Sequence, residues 1–121
     1  MREQLKDVFW LRGTRETLRG FPDAVKEGIG FALYVAQRGE KHSSAKPLKG
    51  FGGASVLEIV EDFNGDTFRA VYTVRFASAV YVLHAFQKKS KSGIATPKRE
   101  LDRIHERLKA AEDHYKQLND K

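Results

Sequence analysis

VLEIVEDFNGDTFRAVYTVRFASAVYVLHAFQ, residues 56–87, is the part of the chain that most clearly announces a sheet. Val, Ile, Tyr, Phe and Thr dominate this run, and β-branched and aromatic side chains suit a pleated sheet. Asn64-Gly65-Asp66 reads as a tight hairpin, because Asn and Gly tolerate positive φ, and Ala77-Ser78-Ala79 reads as a second short connection. Strands are therefore expected over 56–63, 67–76 and 80–87. Consecutive short turns imply an antiparallel meander. Alternation with period two puts Arg69, Val71, Thr73 and Arg75 on one face of the middle strand. The same rule puts Val80, Val82, His84 and Phe86 on one face of the third.

Beyond the sheet, Gln87-Lys88-Lys89-Ser90-Lys91 leaves the last strand, and Thr96-Pro97 opens a helix. Thr96 is expected at the N-cap and Pro97 at the first helical position, where its missing N–H costs nothing. Leu101, Ile104, Leu108, Ala111, Tyr115 and Leu118 continue a helical stripe, expected to pack in the core or on a partner. On the N-terminal side, 40–54 (EKHSSAKPLKGFGGA) reads as an exposed loop. Earlier still, 14–19 reads as a short helix. Phe21-Pro22-Asp23 opens a longer one, with Pro22 in its first turn and Val25, Ile29, Ala32, Leu33 and Ala36 on its apolar face. Gly28 and Gly30 weaken that helix or mark a close approach, and Gly39 stops it. The order is helices, loop, three strands, helix: one α+β domain over 1–121.

The chain has 121 residues, 40% of them hydrophobic and 31% charged, which is enough to fold as one core. It contains no cysteine, which excludes disulfides and thiolate metal sites and fits a reducing compartment. Apolar runs fall short of a membrane helix. The start, MREQLKDVFW, carries acids and lacks an apolar segment, so no signal peptide is expected and the cytoplasm is the expected compartment.

The net charge of +6 is uneven. Residues 1–55 carry +4, 56–75 carry −2, 76–99 carry +5 and 100–121 carry −1. Windows 41–57 and 67–99 contain no acid at all. Ordinary solvated faces mix both signs, so these windows point to a polyanionic partner, foremost nucleic acid.

The four histidines, His42, His84, His105 and His114, show no metal-ligand spacing, so no metal is expected. Gly50-Phe51-Gly52-Gly53 lacks a following Lys-Ser/Thr and leads into a strand, which rejects a phosphate-binding P-loop. No serine lies in a nucleophile motif. What remains is a cationic cluster at one sheet end, built from Arg69 and the lysines after the third strand. Such a cluster fits RNA cleavage without metal or cofactor. The 2′-hydroxyl attacks the adjacent phosphate, arginine neutralises the resulting dianion, and a lysine among cations acts as base. Two blander readings stand beside it: an Arg69 ion pair with Glu58 or Glu61, and a lysine patch that binds without cutting.

The segments FRAVYTVRFASAVYVLHAFQKKSKSG, KPLKGFGGASVLEI, TPKRELDRIHERL and FWLRGTRETLRGFPDAVKEGIGFALYVAQRG together resemble the RelE/HigB toxins of type II toxin–antitoxin systems, in their phage-derived branch. The resemblance runs over roughly residues 8–110 in matching order. It implies a RelE-like fold, with N-terminal helices on a small twisted antiparallel sheet and a terminal helix. It implies a metal-independent mRNA endoribonuclease that acts on the ribosome and blocks translation. It also implies a bound antitoxin, in this branch a helix-turn-helix protein. Catalytic positions carried over are Arg69, Lys88 and Lys89, together with Lys49, which like Lys46 corresponds only loosely to the basic residues that lead into the sheet in relatives. Lys46, Lys91 and Arg75 are expected to bind RNA. His84 has two readings, an assisting group or a packed sheet residue. Glu58 stands where several relatives place a catalytic lysine, and a C-terminal tyrosine that some relatives stack on a base has no counterpart in SKSGIATPK. The other readings are a ParE-like gyrase poison on the same fold and a non-catalytic nucleic-acid-binding module.

Overall fold

The computed structural model describes residues 4–88 and 96–119. In chain order it contains β1 (Asp7–Trp10), α1 (Thr14–Arg19), α2 (Asp23–Gln37), β2 (Lys46–Pro47), β3 (Val56–Phe63), β4 (Asp66–Thr73), β5 (Ala79–Lys88) and α3 (Lys98–Asn119). The five strands form one sheet in the order β1-β5-β4-β3-β2. The expected meander is its centre. Phe63 pairs with Asp66 across a two-residue turn, in which Asn64 and Gly65 both take positive φ.

Two strands escape a local reading. β1 pairs in parallel with β5, a partner about seventy residues on in the sequence. β2 is two residues long and lies inside the segment expected to be loop, where Lys46 pairs with Glu58 and Pro47 with Leu57. The middle strand is also shorter than expected, ending at Thr73 and not at residue 76.

The sheet separates two apolar layers. On one side α2 contributes Val25, Ile29, Ala32, Leu33 and Ala36 against Leu57, Ile59, Phe68, Ala70, Tyr72, Val80 and Val82. On the other, α3 sets Ile104, Leu108 and Ala111 against Val56, Val71, Tyr81 and Leu83. Each fully buried aliphatic side chain of these layers stabilises the fold by roughly 1.5–3 kcal/mol.

β5 does not alternate along its whole length. Val71 pairs with His84 but Tyr72 pairs with Val82, so Leu83 is an extra residue in the ladder. This bulge turns both Leu83 and His84 toward α3. Val80 and Val82 face α2 instead, so the four residues expected on one face divide between two.

The helix boundaries follow their punctuation. Pro22 precedes α2, not inside its first turn, and its carbonyl accepts the Lys26 amide at 2.9 Å. Gly39 (φ 83) closes the far end, its amide bonded to the Ala36 carbonyl. Gly28 marks a close approach: a Cβ there would lie 2.7 Å from the Glu61 carboxylate.

Candidate active site

Facing α3, cross-strand pairing stacks polar residues in rows, because directly paired residues share a face. Lys46 pairs with Glu58, and Glu58 with Val71. One step along, Val60 pairs with Arg69 and Arg69 with Phe86. A further step brings Asp62, Thr67 and Lys88 together. Arg69 and Lys88 therefore stand at the same end of the sheet, as their sequence positions led us to expect. At about 3.4 Å per residue, their rows are roughly 7 Å apart.

Arg69 is 1% exposed. Its Nη1 donates to Glu58 Oε2 at 2.9 Å and to Thr96 Oγ1 at 3.1 Å. The Thr96 hydroxyl donates in turn to the same Glu58 oxygen at 2.7 Å. A strand arginine, a strand carboxylate and the residue leading into α3 thus form a closed triangle. The Thr96 side chain serves this triangle, and the first turn of α3 is closed instead by the Pro97 carbonyl, which accepts the amides of Glu100 and Leu101.

The triangle opens on a cleft of about 440 Å³ between β2, β3 and the start of α3, lined by Lys46, Leu48, Lys49, Glu58, Thr96 and Leu101. A neighbouring hollow of about 340 Å³ shares Lys46 and Glu58 and extends to Ser43, Ser44 and Val60. Glu58 and Lys46 are common to both. The cleft thus combines a largely buried carboxylate held from behind with two exposed lysines on its wall. That arrangement can bind a phosphodiester and place a base beside it.

Other expected site residues go elsewhere. His84 is 6% exposed and clamped by α3. Arg107 donates to its Nδ1 at 2.6 Å, so the ring proton lies on Nε2, which bonds Glu100 at 2.7 Å. Burial lowers its pKa, and the Arg107 charge adds to that against the opposing pull of Glu100. Its ring also stacks on Phe86, 5.1 Å between centroids. Arg75 lies past the opposite end of β4 in an ion pair with Glu112 and near Ser55. Lys89 and Lys91 fall outside the described residues. Among the described residues, no group of three His, Asp or Glu could hold a metal ion, and no helix is long and apolar enough to cross a membrane.

A mostly antiparallel sheet with two N-terminal helices and one C-terminal helix, and a cleft at the head of the last helix, is a RelE-like architecture. Toxin RelE of E. coli, in a mutant form in the free state, matches with a TM-score of 0.52 and 16% sequence identity, over 74% of this chain and 85% of that one. This likeness establishes the fold. The model of the phage-derived Gp49-like protein family (DUF891) matches residues 16–109, and the chain belongs to that family. No curated protein sequence matches it. The family match thus bears out the expected phage-derived branch, and the structural likeness bears out the expected RelE-like fold.

Proposed function

We propose that this protein is the toxin of a type II toxin–antitoxin system and a metal-independent endoribonuclease that cuts mRNA on the ribosome. The observation that carries the proposal is the Glu58–Arg69–Thr96 triangle at the wall of a cleft shared with Lys46 and Lys49. Arg69 is too enclosed to reach a phosphate, so its role is to hold Glu58 in place and orient it. Glu58 takes the proton of a ribose 2′-hydroxyl, and the freed oxygen attacks the adjacent phosphorus. Lys46 and Lys49 neutralise the charge that develops on the phosphoryl oxygens, joined from the sheet end by Lys88 and from the following segment by Lys89 and Lys91. The P–O5′ bond breaks, and a lysine ammonium returns a proton to the leaving oxygen. The products are a 2′,3′-cyclic phosphate and a 5′-hydroxyl. His84 positions the head of α3 through Glu100. The partner is an antitoxin, a helix-turn-helix protein whose acidic groups would cover the lysines.

Induction without antitoxin, followed by primer extension on a translated mRNA, tests this. Wild type should arrest growth and leave cuts at ribosomal codons, and Glu58→Gln or a Lys46→Ala/Lys49→Ala double variant should abolish them. Arrest with intact mRNA and altered DNA supercoiling would instead identify a gyrase poison. Harmless wild type that still binds RNA would identify a binding module.

A further inference from the structure

On the other flank of α3 three guanidinium groups converge. Arg12, Arg103 and Arg107 line a cavity of about 150 Å³, closed by Glu106 and Ala110. Arg103, Arg107 and Ala110 recur at helical spacing on one face of α3. Leu101, which lines the Glu58 cleft, lies about 200° round the helix from Arg103. The cavity stands on the β1 and β5 side of the sheet and the cleft on the β2 and β3 side. They share no residue.

Three features give this cavity the character of an anion site. Arg107 is anchored: its Nη1 donates to the Leu83 carbonyl at 3.1 Å and to His84 Nδ1. A guanidinium has five N–H donors, and among the described residues the other nitrogens of Arg107 make no hydrogen bond. Like charges are also crowded here: three arginines meet two carboxylates, Glu106 in the lining and Glu100, whose Oε1 lies 3.5 Å from Arg103 Nη1. Burial and the charges of Arg103 and Arg12 lower the Arg107 pKa against the opposing pull of Glu100 and Glu106, so an anion among the three guanidinium groups would relieve the repulsion that is left. Finally, Arg12 takes φ 47, left-handed backbone that glycine adopts without strain and arginine does not. Glycine would suit the turn better, and what arginine adds is a cation at the cavity mouth.

We infer that Arg12, Arg103 and Arg107 form a phosphate-binding site, separate from the Glu58 cleft, that grips a backbone phosphate of RNA. The volume is about ten times what a single water needs. Forked donors from three guanidinium groups around one cavity suit the several oxygens of a phosphate better than the planar pair of a carboxylate. RNA as the source of the phosphate rests on the reading of the chain as an RNA-directed toxin. Two phosphate contacts on opposite flanks of α3 would then fix the strand across the head of that helix.

The test is fluorescence anisotropy with a fully 2′-O-methylated RNA oligonucleotide, which 2′-hydroxyl attack cannot cut, so binding is read independently of cleavage. Arg12→Gly, which fits its backbone, combined with Arg103→Ala should weaken binding roughly tenfold and reduce the salt slope by about 0.7, one phosphate on a single strand. Arg103→Lys in the Arg12 wild type should retain most of the affinity. Arg107 is left untouched because it supports His84. Unchanged affinity and slope in the double variant would overturn the inference, as would wild type without affinity for the oligonucleotide. Loss of inorganic phosphate binding, or of binding to an acidic peptide, with RNA binding intact would overturn the assignment to RNA. If wild type binds the oligonucleotide, the double variant loses it, and mRNA nevertheless stays uncut in cells, the cleavage reading falls and the phosphate site stands.

Discussion

Arg69 on β4 and Glu58 on β3 form an ion pair of 2.9 Å in which the arginine side chain is 2% exposed and the carboxylate 15%. The positive charge at the centre of the sheet therefore acts on the cleft through a negative one. This reverses the simple picture of an arginine presented to RNA, and it separates the structural from the chemical consequences of removing either residue.

Arg69→Ala should destabilise the protein by about 3 kcal/mol, because it leaves a largely buried carboxylate without its partner. Replacing both members, Arg69→Met with Glu58→Leu, should restore most of that loss while leaving cleavage abolished. Urea denaturation with an unchanged slope, read beside mRNA cleavage, distinguishes the two effects. A double variant that still cuts RNA would remove Glu58 from the chemistry.

Stability should fall on acidification through His84. Its pKa in the fold lies below the ordinary 6.5, chiefly because it is buried. The unfolded chain therefore binds this proton first, and stability rises with pH across the window from the lowered value up to about 6.5. Above that window the contribution is complete. Melting temperatures between pH 5 and 7.5 should show this decline in wild type and a shallower one in His84→Gln.

Tyr72 is fully buried, and its hydroxyl has no hydrogen-bond partner among the described residues. Burial pushes its pKa up to about 12. Tyr72→Phe removes a desolvated, unmatched donor at nearly constant volume, so it should stabilise by about 1 kcal/mol. Calorimetry should find a melting temperature higher by roughly 4 °C.

The two glycines within α2 should respond differently to alanine. A Cβ at Gly30 meets nothing within 4 Å, so Gly30→Ala should gain about 1 kcal/mol from helix propensity alone. At Gly28 the new methyl would displace the Glu61 carboxylate, whose Oε2 lies 2.7 Å from the added atom. Gly28→Ala should gain less, and chemical denaturation of the two variants side by side measures the difference.

Features written within a few neighbouring residues are legible in the amino-acid sequence. The Asn64-Gly65 turn, the β3–β4–β5 meander, the Gly39 stop and the apolar stripes of α2 and α3 each rest on local backbone preference or on periodicity. Strand alternation and the short turns likewise put Arg69 and Lys88 at one sheet end. β1 and β2 are not legible in this way, because a four-residue and a two-residue strand acquire their identity only from the neighbours they pair with.

The α+β class, the central meander, the absence of thiol chemistry and the basic windows can all be read from residue order alone. Where the charges find their partners depends on packing. The bonds that close the Arg69 triangle join residues 11, 27 and 38 positions apart, and an ion pair drew Arg75 away to Glu112. A single extra residue, Leu83, turned His84 toward α3, where Arg107 and Glu100 hold it. The arginines around Arg107 come from a loop and a helix that meet only when the sheet is assembled. Periodicity reports the face of an element, whereas the partner of a charge depends on burial and distance, and both are set by packing.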